Sequence, residues 1–293
     1  MADQSQLFPG KQFISTVLSA LETKTVMSGA LIRIYLMRAA MAGAIIGVMY
    51  LTYYAVIAAF DGIGQGEFDG VGHMVGAVAF GFALVFIYYS KSELLTSNMM
   101  IVTVGAYYRS AAWWRLLRIL VLCYLGNIVG GLFVAVLVMF STLGDGDVGA
   151  QMYEAVDHKL SYLTEGVTGW GDLFVRAILC NFMINLAMLL VYNGLIKSDV
   201  GKMLVMIASV FVFGFVGFEH SVANTVLFSI VGLQGGLDVG LAVGNLGIVL
   251  VGNYIGGGLL IGLYYAYAND DRRFHGAGLD ATAGNAPADG ARS

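Results

Sequence analysis

A glutamate and a histidine, Glu219-His220, interrupt the apolar stretch that runs from about residue 201 to 231. Ionisable side chains at membrane depth are costly to place, turn away from lipid, and mark permeation or proton paths. The imidazole can donate a hydrogen bond or a proton. A second apolar stretch is interrupted in the same way by Ser90-Lys91-Ser92-Glu93-Leu94-Leu95-Thr96-Ser97-Asn98. An enzyme would need a nucleophile with its base, or grouped metal ligands. Here four histidines are scattered, and Cys123 and Cys180 stand singly in apolar segments as small buried hydrophobes. No enzymatic activity, resident metal or cofactor is expected. No phosphate-binding loop of the Walker type is present, which argues against ATP-driven transport.

These residues sit in a chain made for lipid. Of its 293 residues 58% are hydrophobic and 12% charged, about half the charged fraction usual in soluble domains, and the mean hydropathy is +0.79. A span needs roughly 20 mostly apolar residues. Six regions qualify, at about 35–60, 72–106, 116–142, 171–193, 201–231 and 239–268. The second and fifth are too long and too polar in the middle to be plain helices. Broken helices are tolerated at that depth only where the loose backbone is packed in protein or lines a cavity.

Charge orients the spans. The connecting segments 61–71, 143–170 and 232–238 carry Asp61, Glu67, Asp69, Asp145, Asp147, Glu154, Asp157, Glu165 and Asp238 against one lysine, Lys159. The opposite set carries Lys11, Lys24, Arg33, Arg109, Arg115, Lys197, Lys202, Arg272 and Arg273. By the positive-inside rule both termini are cytoplasmic, and a bacterial inner membrane is the expected location. Residues 1–34 read as a cytoplasmic segment with an amphipathic helix, 35–268 as the six-span domain, and 269–293 as a polar, disordered cytoplasmic tail. No cleavable signal peptide is evident in the polar, Pro9-containing start. No basic stretch suits nucleic acid. The longest connection, about 28 residues in this reading, is too short for a receptor's output domain.

The halves repeat each other. Gly126-Asn127-Ile128-Val129-Gly130-Gly131 returns as Gly252-Asn253-Tyr254-Ile255-Gly256-Gly257, 126 residues on, and the same offset carries Glu93 onto Glu219. Arg38-Ala39 is echoed by Arg176-Ala177. Three spans per half is an odd number, so the copies must run in opposite directions, with a site near the midplane where the two breaks meet. The glycines give small-residue faces that let helix backbones approach closely.

Four segments together resemble the signatures of the formate/nitrite transporter family: Glu93-Leu94-Leu95-Thr96-Ser97-Asn98, Arg176-Ala177-Ile178-Leu179-Cys180-Asn181, Phe218-Glu219-His220-Ser221-Val222-Ala223-Asn224, and Gly252-Asn253-Tyr254-Ile255-Gly256-Gly257-Gly258. The likeness runs from about residue 25 to 268. It implies an all-α membrane protein with six helices in an inverted 3+3 repeat, aquaporin-like, with spans two and five broken. It further implies a homopentamer with one path per protomer for small monovalent anions or their acids. Paired Asn-Pro-Ala motifs of water channels are absent, the only prolines being Pro9 and Pro287. Members commonly continue after the Asn224 position with a methionine and then a proline, where this chain has Thr225 and Ser229.

Position by position, the resemblance makes Thr96 the threonine of the first break and His220 the central histidine. Lys159 becomes a lysine at the outer entrance, and Asn181 and Asn253 asparagines near the path. Phe80, Leu84, Leu94, Ile184 and Phe213 become apolar rings on either side of the histidine. Bare formate would pay heavily to cross such rings, since a carboxylate is far costlier to desolvate than its acid. Lys159 would raise the local anion concentration, and His220, with Thr96 as the neutral donor opposite, would hydrogen-bond or protonate the anion. Alternatives stay open at this point. His220 could only brace the loops, Thr96 could cap the second half of its span, and Asn181 and Asn253 could bond helices instead of facing the path. Glu93 and Glu219 are expected to tie the loops down by accepting backbone N–H bonds. Formate leads, with nitrite, hydrosulfide and short monocarboxylates such as acetate or lactate as alternatives, and passage is passive or proton-coupled.

Overall fold

Apolar runs inside a bilayer must satisfy every backbone N–H and C=O internally, which leaves the helix as the natural solution for each run. The computed structural model describes residues 7–63 and 66–272, and all regular structure among them is helical. Helix α1, Lys11–Gly29, precedes the first span, α2, Ile32–Asp61. Span two is α3, Asp69–Tyr89, followed after a break by α4, Leu95–Tyr107. Span three is α5, Trp113–Met139. The second half repeats the order with α6, Gly146–Thr164, and α7, Gly166–Tyr192. Then come α8, Asp199–Val216, and across a second break α9, Ser221–Leu233. The last span begins as α10, Val239–Asn253, continues as a π-helical stretch, Tyr254–Leu263, and ends in an α turn, Tyr264–Ala268. Among the described residues six helices or helix lines are long and apolar enough to cross a membrane.

Two segments differ from the expectation. The stretch 143–170, read as a connection, contains the 19-residue helix α6. Met152, Val156 and Leu160 recur every four residues and are buried, while the acidic residues between them keep the helix too polar to register as a span. At the other end, α1 stops at Gly29 and the first span starts at Ile32, so residues 32–34 belong to the span and not to the amphipathic helix. α1 presents Phe13, Ile14, Val17 and Leu21 inward, with Leu21 set against Gly105 of α4. Of the expected tail 269–293, residues 269–272 are described, with Asn269 buried and its Oδ1 accepting the Gly10 N–H at 2.6 Å, and the remainder lies outside the described residues.

Each half is closed by a pair of glycines that serve close approach. A Cβ at Gly130 of α5 would overlap the carbonyl oxygen of Ala40 on α2, and one at Gly256 would overlap that of Ile178 on α7. Gly126 and Gly252 are pressed in the same way against Ala39 and Ala177. The recurrence of contacts as well as residues makes the repeat structural. Replacing Gly256 by Ala should cost about 1–3 kcal/mol, the usual range for forcing a methyl into a filled contact. Gly247→Ala is the control, because a Cβ there meets open space. Thermal denaturation in detergent reads both, and equal midpoints for the two variants would refute the close approach.

Candidate functional site

The two breaks are built from one plan. Where α3 ends, the N–H of Glu93 donates to the carbonyl of Arg38, 3.1 Å, and where α8 ends, the N–H of Glu219 donates to that of Arg176, 3.3 Å. The Leu95 N–H, at the start of α4, donates to Asn127 Oδ1 at 3.1 Å, and the Ser221 N–H, at the start of α9, to Asn253 Oδ1 at 2.9 Å. Asn127 Nδ2 returns bonds to the carbonyls of Ala39 and Glu93, both 2.8 Å. Asn253 Nδ2 does the same for Ala177, 2.8 Å, and Glu219, 2.9 Å. One buried asparagine per half thus satisfies two backbone groups that the interrupted helix leaves open and ties them to a carbonyl of the neighbouring unbroken helix.

The carboxylates act differently from the expectation. Among the described residues the side chains of Glu93 and Glu219 accept only from side-chain donors, not from backbone N–H groups. Glu219 is 2% exposed and pairs with Lys159 Nζ at 2.8 Å and with Asn224 Nδ2 at 2.6 Å. Glu93 pairs with Lys24 and with Asn98 Nδ2, the latter at 3.1 Å. Lys24 on α1 is therefore the counterpart of Lys159 on α6. Lys159 is only 8% exposed, on a helix, and not a loop lysine at an open entrance. Burial pulls its pKa down, and the Glu219 carboxylate more than reverses that, leaving it above the ordinary lysine value. Its positive charge therefore persists through the physiological pH range.

His220 opens α9. Its Nδ1 accepts the N–H of Ala223 at 3.1 Å, and its Nε2 lies 3.2 Å from Thr96 Oγ1. Because Nδ1 is occupied as an acceptor, a neutral ring carries its proton on Nε2, which donates to Thr96. Phe213 stacks on the ring at 5.9 Å between centroids, and Phe80 meets Phe213 edge-on at 6.0 Å. Three cavities follow one another here. One of about 360 Å³ is lined by Tyr50, Tyr53, Lys159, Phe80, Phe213 and His220. A chamber of about 20 Å³ is lined by His220, Phe80, Phe213, Leu84, Leu94 and Ile184. Another of about 640 Å³ is lined by Leu84, Leu94, Lys24 and Arg38, among others. The chamber shares the two phenylalanines and His220 with one vestibule and the two leucines with the other, and has room for about one water.

Phe80, Leu84, Leu94, Ile184 and Phe213 thus converge with His220 on the narrow chamber. Asn181 and Asn253 do not, which corrects their placing on a substrate path. Both are fully buried, line none of these cavities, and spend their amides on backbone, Asn181 Nδ2 on the carbonyls of Thr96, 3.1 Å, and Asn253, 2.7 Å. Thr96 is likewise fully buried behind the imidazole. The sequence reading missed Lys24, Asn98, Asn224, Asn127 and the tyrosines Tyr50 and Tyr53. The 126-residue offset that joins Glu93 to Glu219 also joins Asn98 to Asn224 and Asn127 to Asn253, so those four carried a signal. Lys24 carried none, because its offset to Lys159 differs. Among the described residues no group of histidine, cysteine or carboxylate side chains could hold a metal ion.

The formate/nitrite transporter family model matches residues 11–267. A formate channel of Haemophilus influenzae is 30% identical over 251 residues, covering 77% of this chain and 83% of that one. A nitrite transporter of Escherichia coli is 28% identical over 232 residues, covering 78% and 81%. Among solved structures, an ion channel of the same family aligns with a TM-score of 0.75 and 26% identity over 87% of this chain and 98% of the other. A pentameric formate channel with formate bound aligns with a TM-score of 0.63 and 25% identity over 79% and 94%.

Replacing Lys159 by Met strands the Glu219 carboxylate with Asn224 as its remaining partner. The expected loss of stability is about 3–5 kcal/mol, the range for breaking one side of a buried pair. Adding Glu219→Gln should recover most of it, because the uncompensated charge is then gone. Thermal denaturation of the single and double variants decides, and a double variant no better than the single one would show that the ion pair is not the source.

Proposed function

The chain belongs to the formate/nitrite transporter family, and from that premise we propose that it conducts small monovalent anions, formate foremost, through each protomer of a homopentamer. On this reading it lies in a bacterial inner membrane with both termini cytoplasmic, and its two halves cross the bilayer in opposite directions. The observation that carries the proposal is the water-sized apolar chamber with one imidazole in its wall, between two wider vestibules, one lined by the buried Lys159 and the other by the half-buried Lys24. A pathway of that shape admits a small solute stripped of most of its water, and rejects hydrated ions by desolvation. Lys159 and Lys24, each paired with a glutamate, offset the carboxylates beside the chamber, so that neither Glu93 nor Glu219 presents an uncompensated negative charge to an approaching anion.

At the chamber the anion meets a donor. His220 lines the chamber and its Nε2–H is held by Thr96 Oγ1, so an anion there competes with the threonine for that hydrogen. Charging the ring would place a proton on the nitrogen that accepts the Ala223 N–H, at the expense of the α9 cap. A passive route, with His220 as a neutral donor, therefore fits better than proton transfer through the ring. Nitrite and hydrosulfide remain the nearest alternatives in size. Acetate and lactate fit the 20 Å³ chamber less well.

Flux of labelled formate into proteoliposomes without ATP tests the reading. His220→Gln keeps a donor near the Nε2 position and should retain flux. His220→Asn keeps an acceptor for the cap, has no donor reaching Thr96, and should lose flux about ten- to a hundredfold, the worth of one hydrogen bond to a charged group. Equal flux in wild type and both variants would remove His220 from the pathway. Absence of flux from wild type would remove the function.

A further inference from the structure

We infer that the wider vestibule, beside α1, binds a multiply charged oxyanion that cannot pass and therefore plugs the path. This rests on the proposed anion conduction but concerns a different ligand. Five cations line this cavity of about 640 Å³, Lys24, Arg38, Lys91, Lys197 and Lys202, with Glu93 as the one carboxylate among the lining residues. Glu93 is taken by Lys24, and Lys202 pairs with Asp199 at 3.1 Å. Among the described residues Arg38, Lys91 and Lys197 have no carboxylate partner. The Arg38 guanidinium touches only the sulfur of Met27, 3.3 Å, and the Lys91 ammonium lies over the ring of Tyr88, 5.0 Å from its centre.

These three cations are solvent-exposed residues around one cavity, and their like charges repel one another there. A monovalent solute would neutralise one of them, whereas a phosphate-like or polycarboxylate anion matches two or three. Lys91 is set in place by the end of α3, where its backbone turns left-handed at φ +57° and the Ser92 N–H closes on the Ile87 carbonyl at 3.0 Å. The occupant is read as a soluble anion because polar side chains of α1, among them Gln12, Thr16 and Thr23, wall the cavity, which leads inward to Leu84 and Leu94. The same anion is too large for the 20 Å³ chamber, and its second charge makes desolvation there prohibitive. It can bind and it cannot cross.

The test measures labelled-formate flux in phosphatidylcholine proteoliposomes with inorganic pyrophosphate on both faces, against sodium chloride of matched ionic strength. Wild type should be blocked, and equally so in vesicles that carry phosphatidylglycerol, which rules out a lipid headgroup as occupant. Lys91→Asn, which also suits the left-handed backbone, and Lys197→Gln should leave unblocked flux unchanged. Each should raise the half-blocking concentration about fivefold, equal to about 1 kcal/mol per charge removed. Flux indifferent to pyrophosphate, or a block unchanged in the double variant, would overturn the inference. Should wild type conduct no formate at all, the function fails separately. The site is then decided by whether pyrophosphate raises the thermal midpoint of wild type and not of the double variant.

Discussion

A helix that stops partway through a bilayer exposes N–H and carbonyl groups where no water can reach them, and each one left unpaired costs several kcal/mol. This protein has two such stops, and most of its buried polar side chains answer to them. Asn127 and Asn253 each take one N–H and give to two carbonyls across three different helices. The glycines beside them follow from the same need, since an asparagine can reach a neighbouring backbone only if its helix lies close. Gly126 and Gly130 bring α5 against α2, and Gly252 and Gly256 bring the last span against α7. Packing without side-chain bulk and hydrogen bonding across helices are here one device.

The buried charges form a second layer on the same frame. Each glutamate lies in a break, is held by an asparagine five residues on, and is neutralised by a lysine from a helix outside the six apolar spans. Such a pair contributes little net stability over an apolar substitute, and its loss on one side is severe. What it secures is register. Helices α1 and α6 are pinned to the breaks, so the two vestibules carry their cations at fixed positions next to the chamber. The proposed conduction and the packing of the helices thereby depend on the same contacts, and a change made for one is felt by the other.

The asymmetry between the halves is where the chemistry sits. At the position where the first half has Leu94, the second has His220, and where the second has Val222, the first has Thr96. Two equivalent loops meet, and the imidazole of one bonds the hydroxyl of the other. An exact repeat would have placed two leucines or two histidines at the chamber. Divergence of two positions leaves a single imidazole in an apolar wall, with one hydroxyl behind it.

Much of this was legible from residue order. Apolar length determined six spans, polar interruption determined which two would break, and a shared offset of 126 residues revealed the repeat and both glutamates. These are properties of local hydropathy and periodicity, which bilayer thickness and backbone hydrogen bonding convert directly into structure. Only the tertiary structure decided partners. Asn181 and Asn253 looked alike as candidates for the path, yet they face backbone. Lys159 looked like a loop residue, yet it lies on a helix and is buried against Glu219. Lys24 gave no sign of its role. A side chain's type states which bonds it can make, but which group it meets depends on helices brought together from distant parts of the chain.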